Sequence, residues 1–77
     1  MRKNIMTETI KIHDSVRIYL GAKFGEKEGW YNGIVVRIDP YSDHRSFYWV
    51  KLDDEAQKTL NIREISVFNP KYIQKTP

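Results

Sequence analysis

Gly29-Trp30-Tyr31-Asn32-Gly33-Ile34-Val35-Val36-Arg37-Ile38, a polar stretch over residues 39–45, and then Ser46-Phe47-Tyr48-Trp49-Val50-Lys51-Leu52 make up the part of the chain whose reading decides the fold. Both arms alternate. Ile34, Val36 and Ile38 interleave with Val35 and Arg37, and Tyr48, Val50 and Leu52 interleave with Phe47, Trp49 and Lys51. A period of two is the pattern of half-buried strands, so the two arms predict a β-hairpin. Asp39-Pro40 followed by polar residues supplies its turn. Asn32-Gly33 alone would suggest a tight hairpin turn, but the apolar pattern runs through it. One strand over residues 30–38 that bends at Gly33 accounts for both features.

Working outward, residues 16–20 alternate and predict a strand with Val16, Ile18 and Leu20 inside and Arg17 and Tyr19 outside. Residues 21–29 hold three glycines and mixed charges and read as a long solvated loop. They lack the following helix and the Gly-Lys-Ser/Thr sequence of a nucleotide loop. Residues 53–60 are helix-compatible, with Asp53 or Asp54 as cap, and predict a short helical turn near residues 54–60. Residues 64–68 return to strand with Ile65 and Val67 inside, Asn69-Pro70-Lys71 forms a 3₁₀ turn, and residues 72–74 supply a last strand against the first. Residues 8–12 alternate weakly as a short edge strand, and residues 1–9 read as a flexible tail. The expected fold is all-β, five strands in a layout that resembles an SH3-like barrel over residues 10–75.

A chain of 77 residues is one small domain, which removes only about 60% of its unfolded surface from water. Hydrophobic residues at 40% and charged ones at 30% place it among globular proteins. Uncharged apolar runs within the hairpin, such as residues 34–36, are far short of a membrane span, and the first ten residues hold no apolar stretch of signal-peptide length. Cysteine is absent, which removes disulfides, thiolate metal sites and cysteine nucleophiles together. A cytoplasmic location fits. The net charge of +3 is by itself a weak sign of a polyanion partner.

Which face is inside follows from cost. Turning Phe47, Trp49 and Lys51 inward would bury an unpaired ammonium, so Tyr48, Val50 and Leu52 go in. The same argument puts Arg37 and Arg17 outside. A turn over residues 39–45 then pairs Val36 with Tyr48 and Ile34 with Val50 inside, and Arg37 with Phe47 and Val35 with Trp49 outside. The outer face is expected to carry Arg17, Tyr19, Val35, Arg37, Phe47, Trp49 and Lys51 with no acid among them, the acids lying in the loops.

Aromatics on a solvent face mark interaction sites. Arg17, Arg37 and Lys51 would neutralise phosphates of RNA or DNA while Tyr19, Phe47 or Trp49 stack on unpaired bases. The alternative is a protein partner, a second copy of the chain included, because tryptophan, tyrosine and arginine also dominate interface hot spots. A third account has the N-terminal segment covering the face. Trp30 and Tyr31 are secondary aromatic candidates.

The segments Gly29-Trp30-Tyr31-Asn32-Gly33-Ile34-Val35-Val36 and Phe47-Tyr48-Trp49-Val50-Lys51-Leu52-Asp53-Asp54 resemble Tudor-like domains, in which an aromatic pair opens the second strand and an aspartate follows the third. Asp14-Ser15-Val16-Arg17-Ile18, Gly25-Glu26-Lys27-Glu28-Gly29 and Ile34-Val35 look like the KOW motif of ribosomal and transcription-associated proteins. Both resemblances imply an SH3-like barrel that binds RNA, DNA or a peptide without catalysis. Of the positions that form a methyl-lysine cage in Tudor domains, only Trp30, Tyr31 and Tyr48 have counterparts here, and Tyr48 is expected in the core.

His13 and His44 are the only histidines. His44 with Asp39 and Asp43 falls short of a convincing metal set, so no metal or cofactor is expected. Asp53, Asp54 and Glu55 read as helix-capping and solvated carboxylates rather than an acid/base pair, and no serine lies in a nucleophile elbow. The chain is expected not to be an enzyme.

Overall fold

Alternation becomes five antiparallel strands in the computed structural model, which describes residues 9–43 and 45–76. They are β1 (Ser15–Leu20), β2 (Gly29–Pro40), β3 (Ser46–Leu52), β4 (Glu64–Val67) and β5 (Ile73–Lys75). One helix, α1 (Asp54–Leu60), joins β3 to β4, and 3₁₀ segments at Ala22–Lys27 and Pro70–Tyr72 precede β2 and β5. The strand order is β4-β3-β2-β1-β5. The long β2 serves two partners: its residues 29–34 pair with β1 and its residues 33–40 with β3. The end strands β4 and β5 form no ladder with each other, so the sheet is not closed among the described residues.

The inner face is apolar throughout. Val16, Ile18 and Leu20 of β1 meet Val35, Val50, Leu52, Val67 and Ile73, with Ala56 and Leu60 of α1 packed against them. No polar or charged described residue is buried. Each fully buried aliphatic side chain contributes about 1.5–3 kcal/mol, which is what a small cysteine-free domain has to rely on. A helix of seven residues is too short to stand alone. Asp53 caps α1 by accepting from the Ala56 amide at 2.8 Å, Gln57 Nε2 donates to the Leu52 carbonyl at 2.7 Å, and Asn61 ends the helix in the left-handed region. No described helix is long and apolar enough to cross a membrane.

The β3 phase stands as expected, with Val50 and Leu52 buried and Tyr48 against the core. The first half of β2 is the reverse of the expectation. Val35 is fully buried, while Ile34 and Val36 are 47% and 37% exposed. The ladder pairs Val35 with Val50, Arg37 with Trp49, Ile38 with Tyr48 and Asp39 with Phe47. A bulge between Val35 and Arg37 supplies the reason: one extra residue leaves both Val36 and Arg37 facing out, so Arg37 is outside without Ile34 being inside. The position of Gly33 fixes the same phase. A Cβ there would lie 2.6 Å from the Lys51 carbonyl oxygen and from Val50 Cγ1, so only glycine fits where β2 crosses from one partner to the other.

The expected tail falls outside the described residues except for residue 9. Residues 9–12 form no strand. Ile10 instead packs against the core, and the chain is tied to the middle of β2 by His13 N donating to the Val35 carbonyl at 2.7 Å and Val35 N donating to the Asp14 carbonyl at 3.0 Å. The loop over residues 21–29 is not fully solvated either: its 3₁₀ segment sets Phe24 against the core.

Candidate functional site

The outward residues of β1 and the first half of β2 meet across the ladder, Arg17 opposite Asn32 and Tyr19 opposite Trp30. Arg17 is fixed from two sides. Its guanidinium lies 4.5 Å from the centre of the Trp30 ring, and its Nε and Nη2 donate to Gln74 Oε1 of β5 at 2.9 and 2.8 Å. The Tyr19 ring lies 5.3 Å from Trp30 and 6.1 Å from Tyr72, giving a row of three rings beside one guanidinium. Trp30 and Tyr72 are 41% and 45% exposed. The Tyr19 hydroxyl donates to the Glu28 carboxylate, which together with partial desolvation holds its proton above the usual phenol range.

The second half of β2 and β3 carry a matching pair with a different neighbour. Arg37 lies over Trp49 at 5.0 Å, but its Nη2 and Nε also reach Asp39 Oδ2 at 3.0 and 3.2 Å. Trp49 Nε1 donates to the same oxygen at 3.0 Å. Asp39 lies on β2 rather than in the turn, because the strand runs on to Pro40. The expected acid-free outer face is therefore corrected: Asp39 neutralises Arg37, Glu28 meets Tyr19, and Glu64 stands across the ladder from Lys51. Around this half lie exposed Ile34 and Val36.

Phe47 belongs to neither pair. It packs 4.7 Å from Phe68 and 6.0 Å from Tyr41, and Arg45 lies over Phe68 at 5.3 Å. Tyr31 points the other way, packing against the core and donating its hydroxyl to the Lys27 carbonyl at 2.6 Å, so it pins the loop rather than lining the face. The structure thus brings Arg17, Tyr19 and Trp30 together, places Arg37, Trp49 and Lys51 on the other half, and sets Phe47 at the hairpin end.

Tyr72, Phe24, Phe68, Lys23 and Arg45 join these residues in the structure without being expected on the binding face from sequence. Lys23 lies over Phe24 at 5.5 Å, and this adjacent cation and ring inside a glycine-rich loop is a local signal, as is Lys71-Tyr72. Four cation–ring contacts are present among the described residues, and in three of them, on Arg17, Lys23 and Arg45, the cation has no described carboxylate within ion-pair distance. Among the described residues no three histidines or carboxylates gather as a metal site, and His44 lies outside them. No family model, curated protein or solved structure matches the chain.

Proposed function

We propose that the chain is a non-catalytic binding module on a small SH3-like barrel, and that it binds nucleic acid through the outer side of β5, β1 and the first half of β2. The barrel reading is supported by the order β4-β3-β2-β1-β5, a β2 long enough to serve two partners, and a 3₁₀ turn before the last strand. One observation carries the binding reading. Arg17 keeps its charge, being held by an amide oxygen and a ring rather than a carboxylate, and it stands at the end of the row Trp30, Tyr19 and Tyr72. A fixed cation beside exposed rings is what a strand of phosphates and bases can use. The test is titration with single-stranded and duplex oligonucleotides at low and moderate salt. Binding that weakens steeply with salt supports the proposal, and no binding at low salt removes it.

A second reading applies to the other half. With Arg37 paired to Asp39, exposed Ile34 and Val36 beside Trp49 form an apolar patch edged by the opposite charges of Lys51 and Glu64, which favours contact with a protein, a second copy included. Phe47 and Lys51 flank it. Sedimentation tests this reading: a dimer that Ile34→Lys converts to monomer supports it, and a monomer at high concentration rules out self-association.

A further inference from the structure

A groove of about 410 Å³ runs between the 3₁₀ segment at Ala22–Lys27 and the stretch from β4 into the 3₁₀ segment at Pro70–Tyr72. The rings of Tyr19, Phe24, Phe68 and Tyr72 line it together with Lys23 and Asn69, and no carboxylate is among its lining residues. Other grooves of the sheet differ on that point. A larger one of about 590 Å³ is lined by Asp53 and Asp54, one of about 250 Å³ by Asp53 and Glu55, and one of about 400 Å³ by Glu64. Of these four, the ring-lined groove alone has no acid among its lining residues, Glu28 reaching only the hydroxyl of Tyr19, and cations border it: Lys23 on Phe24 and Arg45 on Phe68.

We infer that this groove takes an unpaired base of a single strand, an inference that rests on the nucleic-acid reading above and narrows it to strands with accessible bases. Three features point there. Tyr19 and Tyr72 belong both to the groove and to the row that ends at Arg17, so the two form one continuous path. The groove's volume lies within the range of about 300–1,000 Å³ typical of small-ligand sites, and its rings offer stacking surface that a base inside a duplex cannot reach. Asn69 Oδ1 is already taken by the Lys71 amide at 2.9 Å, which leaves the side-chain NH₂ as a donor for a base carbonyl. Lys23 and Arg45 at the groove and Arg17 beyond it supply phosphate contacts along the path.

The experiment is anisotropy at low salt with three labelled probes of equal length: a thymidine single strand, a blunt duplex and an abasic single strand. They are titrated against the full chain and against Phe24→Leu, which keeps apolar volume while removing the ring. The single strand is expected to bind about tenfold or more tighter than the abasic strand, with Phe24→Leu losing most of that preference and leaving duplex binding unchanged. Equal binding of the single and abasic strands, or a preference that Phe24→Leu leaves intact, overturns the groove while the wider nucleic-acid reading survives. No binding by any probe overturns both. Should circular dichroism show that Phe24→Leu disturbs the fold, Lys23→Gln at its exposed position decides: a salt slope for the single strand lower by about one supports the groove, and an unchanged slope contradicts it.

Discussion

Two halves of the outer sheet face carry the same pair, an arginine stacked on a tryptophan, and differ in what else touches the arginine. Arg17 over Trp30 is held by the amide oxygen of Gln74, and Arg37 over Trp49 is held by the carboxylate of Asp39. The first pair keeps a net charge and joins a row of rings. The second is electrically closed and sits among exposed Ile34 and Val36. Residue types alone do not decide whether a face attracts a polyanion, because one neighbouring carboxylate changes the answer.

Breaking the junction between the halves should have the largest effect. Gly33 sits where β2 passes from β1 to β3, and a Cβ there meets backbone at 2.6 Å. Gly33→Ala is expected to cost about 1–3 kcal/mol, as overpacking does. In a domain of this size that lowers the melting temperature by about 4–8 °C per kcal/mol. An unchanged thermal melt would show that β2 shifts freely at this point and that the halves are not rigidly joined.

Exchanging the tryptophans sharpens the contrast. Trp30→Ala should weaken binding to a single-stranded oligonucleotide by about 1–3 kcal/mol, the contribution of one stacked base, while Trp49→Ala leaves affinity nearly unchanged. Comparable losses in fluorescence titrations would mean that both halves bind. A smaller effect is expected from Asp39→Asn, which keeps the shape and removes the charge that closes Arg37. If charge alone separates the halves, the salt dependence of binding should steepen by about one phosphate contact. An unaltered slope would locate the difference in shape.

The smallest effect concerns how the cationic half is anchored. Asp14 Oδ2 accepts from the Lys11 amide at 2.8 Å and lies 3.6 Å from Lys75 Nζ of β5. The backbone hydrogen bond first, and Lys75 after it, hold the Asp14 carboxyl below its ordinary value of 3.8. A carboxyl lowered in the folded state stabilises the fold fully above its ordinary value, and the contribution is lost as pH falls through the lower folded value. Urea midpoints should therefore fall below about pH 4 in the native chain by slightly more than in Asp14→Asn. Identical pH profiles would remove Asp14 as an anchor.

Much of this fold was legible, and the reason lies in particular residues. Lys51 could not be buried, so β3 was phased correctly, and Asp53 and Asn69-Pro70 marked the helix start and the late 3₁₀ turn. Arg37 misled because a bulge lets two successive residues face solvent, which no count of period two anticipates. Arg17 and Trp30 could be named, but their stacking depends on the β1–β2 register, set by how the 3₁₀ segment folds residues 22–27. Phe24 lines one groove with Phe68 and Tyr72, which stand more than 40 positions further along the chain, so only the fold brings them to one site. Asp39-Pro40 reads as a turn, but the strand runs on to Pro40 and brings the Asp39 carboxylate onto the face.

The central claim, that the two arginines differ in available charge, is tested most directly by the salt dependence of single-strand binding for Arg17→Ala and Arg37→Ala side by side. The expected result is a slope of log affinity against log salt shallower by about one for Arg17→Ala and unchanged for Arg37→Ala. Equal slopes for the two variants, or the larger loss at Arg37, would contradict it.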